Sequence, residues 1–245
     1  VLRRWGALGL VGVIGAVMVG LIGAVGVPAR ASGYPVVYSF TTGVVAETTR
    51  PQAPPPGANN WSCRPSVAHP YPVVLIHGTV FDMTLSWQAL SPLLVNAGWC
   101  VFALNYGGSF AANPVQGTET VEKSASELAD FVRRVRAATG AAQVDLVGHS
   151  QGGGVLPRYY LSVLGGAPFV HRLIGLAPSN HGTDVDHFIT LLNLVPGGST
   201  LAFGPWCAAC VEQFTGSAFL RRLNALPDTV PGVAYTVIES RDDEI

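Results

Sequence analysis

Five short runs of this sequence are apolar almost without interruption, and they limit the possible folds more than any other feature. They are "PVVLIHG" (72–78), "WCVFALNYGG" (99–108), "QVDLVG" (143–148), "VHRLIGLA" (170–177) and "AYTVIES" (234–240). Continuous runs rich in β-branched residues suit strands buried on both faces. Helical spacing fills the gaps between them. "SWQALSPLLVNAG" (86–98) places Leu90, Leu93 and Leu94 on one face and ends at Gly98. "VEKSASELADFVRRVRAATG" (121–140) repeats Val121, Ala125, Leu128, Val132 and Val135 at helical intervals, with Gly140 as its stop. Strands alternating with helices predict an α/β domain with a mostly parallel sheet and helices on both faces. A chain of 245 residues is long enough for one such core.

The N-terminus reads differently. "VLRRWGALGLVGVIGAVMVGLIGAVGVPARASG" runs from two arginines through small and aliphatic residues to Ala29-Arg30-Ala31, the order of a secretory signal peptide over 1–31. The alternative is a retained membrane anchor through residues 5–27. Residues 1–31 hold three arginines and no acid, so the rest carries 11 basic and 15 acidic side chains, a net charge of −4. With no basic run, nucleic acid is excluded as a partner. An exported chain with four cysteines is expected to form two disulfides. Cys63 precedes one predicted strand and Cys100 lies on the next, so they can meet across the sheet. Cys207 and Cys210 form "CAAC", where no second such pair and no nearby histidine complete a zinc set; a local bridge is expected and no metal. Three pairings are open on paper.

Residues 32–71 read as an extended, proline-rich lead-in to a domain spanning 72–245, since "PQAPPPGANN" is stiff and turn-rich. Residues 184–215 fit this alternation poorly, and 184–205 within them form the candidate lid. "HFITLLNLVPGGSTLAFGPW" is apolar but interrupted by Pro196 and two glycines, and it reads either as a helix and loop packed on the core or as a lid over an apolar site.

Chemistry concentrates where the third run meets a cluster of glycines. In Gly148-His149-Ser150-Gln151-Gly152, a serine follows a buried strand and precedes a helix-like stretch. A sharp strand-to-helix elbow needs small residues two before and two after the serine, which makes Ser150 a candidate nucleophile and Gly148 and Gly152 its elbow. Helix amides beyond the turn favour negative charge near that serine. Acyl transfer also needs donors for the oxyanion. One is the backbone N–H of Gln151; the other is expected from "LIHGTV" (75–80), where Gly78 lets the chain turn and Thr79 offers its N–H, with its hydroxyl as a further donor. His77 in that motif reads as structural.

Taken together, "HPYPVVLIHGT", "CVFALNYG", "GHSQGG", "PRYYL", "APSNHGT" and the lead-in "PPGANNWSCRPS" resemble the secreted class 2 lipases of the α/β-hydrolase superfamily, from about residue 34 to the last. The resemblance implies a serine esterase acting on acylglycerols or simple carboxylic esters, at a lipid–water interface or in solution, as a monomer without a cofactor. The family pattern R-x-D-E places the triad carboxylate on Asp243, with Asp242 as runner-up.

The resemblance also places the triad histidine after the acid. Yet His69, His77, His149, His171, His181 and His187 all precede Asp243. The expectation is that none is the base, that the chain lacks its last segment, and that it loses most of its rate as a result. Two other readings use the same features: an acyltransferase or thioesterase on this scaffold, and a non-catalytic binding protein without the base.

Overall fold

The computed structural model describes residues 33–108, 115–185 and 187–241. The proposed signal segment, Asp242 and Asp243 lie outside them. In chain order the elements are α1 (Phe40–Thr49), β1 (Val73–Ile76), α2 (Met83–Ser86), α3 (Leu90–Asn96), β2 (Val101–Leu104), α4 (Val121–Thr139), β3 (Val144–His149), α5 (Val155–Ser162), β4 (Val170–Leu176), α6 (Phe188–Leu192), α7 (Gly198–Phe203), α8 (Ala208–Gln213), α9 (Ala218–Asn224) and β5 (Ala234–Ile238). Among the described residues the five strands are all parallel, in the order β2-β1-β3-β4-β5. The expected α/β architecture is therefore present.

Apolar clusters on the two faces of the sheet explain why the strands lack polar alternation. On one face Val74, Ile76, Phe102 and Leu146 pack against Val121, Ala125, Leu128, Val132 and Val135 of α4. On the other, Leu75, Val101, Ala103 and Val147 meet Met83 and Trp87. The α4 helix starts at Thr120, whose side chain accepts from the Lys123 N–H, and stops at Gly140 in the left-handed region at φ 76°.

Three local expectations need correction. The lead-in is not extended throughout, because Phe40–Thr49 is helical. Pro35 lies before the helix and the next proline, Pro51, after it, and the helix ends at Arg50, the residue that Pro51 bars from continuing it. The stretch 86–98 is not one helix: Ser86 ends α2 and only Leu90–Asn96 is helical beyond it, and Leu93 faces solvent while Ser91 and Pro92 are buried, the Ser91 hydroxyl donating to the Pro56 carbonyl. β5 is not buried on both faces: it is an outer strand paired to β4, with Val237 and Ile238 exposed.

All four cysteines are bridged, Cys63 to Cys100 and Cys207 to Cys210. Within 184–205, α6 and α7 are joined through Gly197 in the left-handed region, and Leu191, Leu194, Val195 and Leu201 point outward. Among the described residues no helix is long and apolar enough to cross a membrane.

Candidate active site

The turn after β3 is as tight as backbone atoms allow. A Cβ at Gly148 would lie 1.8 Å from the Gly152 carbonyl oxygen, and one at Gly152 would lie 2.2 Å from that of His77. Neither position admits any side chain. Between them Ser150 sits at φ 53°, a left-handed conformation that costs a non-glycine residue on the order of 1–2 kcal/mol. The chain makes one 3-10 turn at Ser150–Gly152 before α5 begins at Val155. Helix amides therefore enter later than a direct strand-to-helix junction would place them.

Gly78 plays a different part from the one expected. It does not adopt a positive φ; instead a Cβ there would meet His149 Nδ1 at 3.0 Å and Ser150 Cβ at 3.2 Å. Its smallness lets the loop after β1 approach the elbow. The left-handed residue is Val80, at φ 61°, which is a strained position for a β-branched side chain.

Thr79 and Gln151, the two expected oxyanion residues, are brought together. The Thr79 hydroxyl donates to Gln151 Oε1 at 2.7 Å. It also accepts from Gln213 Nε2 at 3.0 Å. Its proton is thus committed to Gln151, which leaves the backbone N–H as the donor Thr79 has to offer. Among the described residues neither the Thr79 nor the Gln151 N–H donates to a backbone carbonyl.

Ser150, Thr79 and His149 open onto a cavity of about 670 Å³. Its walls are largely apolar, with Phe81, Val185, Phe188, Phe203, Trp206 and Phe214 among them. Glu239 and Ser240, directly after β5, also line it. Glu239 was missed in the sequence because acids after a strand are ordinary; only the parallel register of β5 on β4 carries it to this end of the sheet. Gln213 likewise had no local signal.

The histidines separate by environment. His77 is fully buried, donates from Nδ1 to the Gly78 carbonyl at 2.8 Å and stacks on Tyr106 at 4.2 Å. Burial pushes its imidazole down to about 4, so it stays neutral at ordinary pH and braces the loop. His171 bonds Asp145, His181 lies 3.6 Å from Asp228, His187 pairs with Asp184 on the surface, and His69 packs on Trp99. Among the described residues, His149 is the imidazole that lines the Ser150 cavity. No cluster of metal-ligating side chains occurs among the described residues.

The model of the class 2 lipase family matches residues 70–245. A triacylglycerol lipase of Pseudarthrobacter phenanthrenivorans and another of Burkholderia plantarii are each 33% identical over 98 residues, 38% of this chain. Those matches span only 28% and 25% of the two relatives' own lengths. In fold, the chain is similar to Aspergillus fumigatus lipase B (TM-score 0.58, 19% identity, covering 87% of this chain and 45% of that one). It is also similar to the mature Bacillus licheniformis lipase BlEst2 (TM-score 0.51, 17% identity, 76% and 69% covered).

Proposed function

This chain belongs to the class 2 lipase family, and from that premise we propose that it hydrolyses carboxylic esters of acylglycerols or simple alcohols through an acyl-enzyme on Ser150. The observation that carries the proposal is the elbow itself. Ser150 is held at a positive φ between two glycines that admit no Cβ, and together with Thr79 it opens onto a largely apolar cavity. In the reaction Ser150 Oγ attacks the ester carbonyl, and the alkoxide that forms is held by the Thr79 and Gln151 N–H groups. Collapse expels the alcohol, which carries off the serine's proton, and water then cleaves the acyl–serine ester, releasing the acid and returning a proton to Ser150 Oγ. We assign the orienting carboxylate to Asp243 on the family pattern, and the base to none of the six histidines.

The same premise supports a reading of 184–205 as an apolar flap that meets a lipid–water interface. Its inner residues Val185 and Phe188 line the cavity, while Leu191, Leu194, Val195 and Leu201 are 62–76% exposed. An exposed apolar patch at the mouth of an apolar cavity fits adsorption to uncharged acyl surfaces. Two disulfides support export to an oxidising compartment.

The deciding experiment treats the full chain with a p-nitrophenyl alkylphosphonate and maps the adduct by mass spectrometry, alongside tributyrin turnover. The expected adduct is on Ser150. Labelling and turnover that both persist in Ser150→Ala would remove this serine from the mechanism.

A further inference from the structure

Gln213 ends α8, a helix of six residues whose N-cap is Cys207 of the Cys207–Cys210 bridge. Its backbone is fixed from the other side as well, its carbonyl accepting from the Thr183 N–H at 2.9 Å. The side chain is 4% exposed and uses both ends of its amide. Oε1 accepts from the Ser179 hydroxyl at 2.8 Å, and Nε2 donates to the Ala209 carbonyl at 3.1 Å and to Thr79 Oγ1 at 3.0 Å. A buried primary amide is costly unless every function is met. An apolar side chain would fill the same space without that requirement.

What the amide supplies is direction. A hydroxyl that accepts from Gln213 and donates to Gln151 Oε1 has no free rotation left. The chain Ser179–Gln213–Thr79–Gln151 therefore braces the two residues read as the oxyanion donors. It also bears on Val80, whose positive φ persists only while its surroundings over-determine the loop.

We propose that Gln213 is a positioning residue for ester hydrolysis: by donating to the Thr79 hydroxyl it holds the Thr79 N–H in register with that of Gln151 for the oxyanion. The inference rests on the reading of Thr79 and Gln151 as the oxyanion donors.

Two variants of the full chain test it. Gln213→Ala removes the donor. Gln213→Glu keeps the shape and the acceptor for Ser179, but turns the end facing Thr79 into an acceptor whenever it is ionised. With the p-nitrophenyl alkylphosphonate as probe, Gln213→Ala lowers the limiting rate of Ser150 modification by roughly tenfold to a hundredfold, somewhat less than deleting an oxyanion donor outright. The half-saturating concentration stays within about threefold, because ground-state binding is untouched. Gln213→Glu approaches wild-type rate in acid, where the protonated carboxyl donates again, and falls away as pH rises. A side chain that merely fills space gives no such pH signature. Backbone ¹⁵N relaxation supplies a readout independent of reactivity. In Gln213→Ala the order parameters of Thr79 and Val80 drop from about 0.85 toward 0.6, with α4 unchanged.

Unchanged relaxation at Thr79 overturns the proposal. So does a wild-type modification rate in Gln213→Ala, or a Gln213→Glu rate that ignores pH. If wild-type Ser150 takes up no phosphonate, the nucleophile assignment falls, and the relaxation comparison still decides the role of Gln213.

Discussion

Gly148 and Gly152 stand so close that a single methyl on the first would penetrate the carbonyl of the second, at 1.8 Å. The obstruction is backbone, which cannot rotate aside as a flexible side chain can. Gly148→Ala is expected to cost about 3 kcal/mol or more, at the upper end for overpacking. Gly165→Ala is a useful control: its φ of 72° is strained for alanine, but its Cβ would meet nothing within 4 Å. Denaturant midpoints measure both; Gly148 does not sit at a positive φ, so a loss no larger than that of Gly165→Ala would mean that the turn relaxes to admit the methyl.

Glu47 on α1 and Asp82 at the start of α2 meet carboxyl to carboxyl, with both Glu47 oxygens and Asp82 Oδ2 shielded from solvent. Burial first, and then the bond to Asp82, push the Glu47 carboxyl up to about 7 from an ordinary 4.5. Between those values the folded chain keeps a proton that the unfolded chain has lost, so stability falls as pH rises from 4.5 to about 7. Glu212, raised to about 7 mainly by burial and further by Glu122, adds in the same direction. Urea unfolding across this window is expected to show a shallower decline in Glu47→Gln than in wild type. It should be shallower still when Glu212→Gln is added. An unchanged slope in Glu47→Gln would mean the two carboxyls do not share a proton.

The two disulfides close loops of very different length, with separations of 37 and 3 residues. On the chain-entropy account, losing the first costs about 4 kcal/mol and losing the second about 2 kcal/mol. Replacing Cys63 and Cys100 by alanine should therefore lower the unfolding midpoint about twice as far as replacing Cys207 and Cys210. The reverse order would point to a larger packing role for the short bridge than its loop entropy implies.

Leu194, Val195 and Leu201 are exposed in the folded chain, so changing them to serine should shift stability by less than about 0.5 kcal/mol each. If the flap adsorbs to lipid, the triple variant should partition at least tenfold more weakly onto a triolein surface, since each apolar side chain withdrawn from water contributes on the order of 1 kcal/mol or more. Undiminished partitioning of a stably folded variant would leave the flap without this role.

Much of the core was legible because burial on both faces writes itself as uninterrupted β-branched runs, and because α4 repeats five apolar residues at helical spacing. The α1 helix left no such trace. Its "FTTGVVAETT" has weak intrinsic preference for helix and no apolar stripe, and it is settled by close packing of Gly43 against the Leu85 carbonyl. Leu93 was misplaced for a related reason: Ser91 is buried in this helix because Pro56, 35 positions earlier, offers its hydroxyl a carbonyl. At the site, glycines marked Ser150 because the turn excludes side chains. Val80 and Gln213 carried no mark, since strain and long-range amide bonds have no sequence period. Asp243 rests on the family pattern.

The bridge between Cys63 and Cys100 has a practical consequence for handling the protein. A protease that nicks the backbone once anywhere between these two positions leaves the halves tethered, so the clipped molecule migrates as a single band until a thiol is added. Intactness judged on a non-reducing gel would overlook such damage.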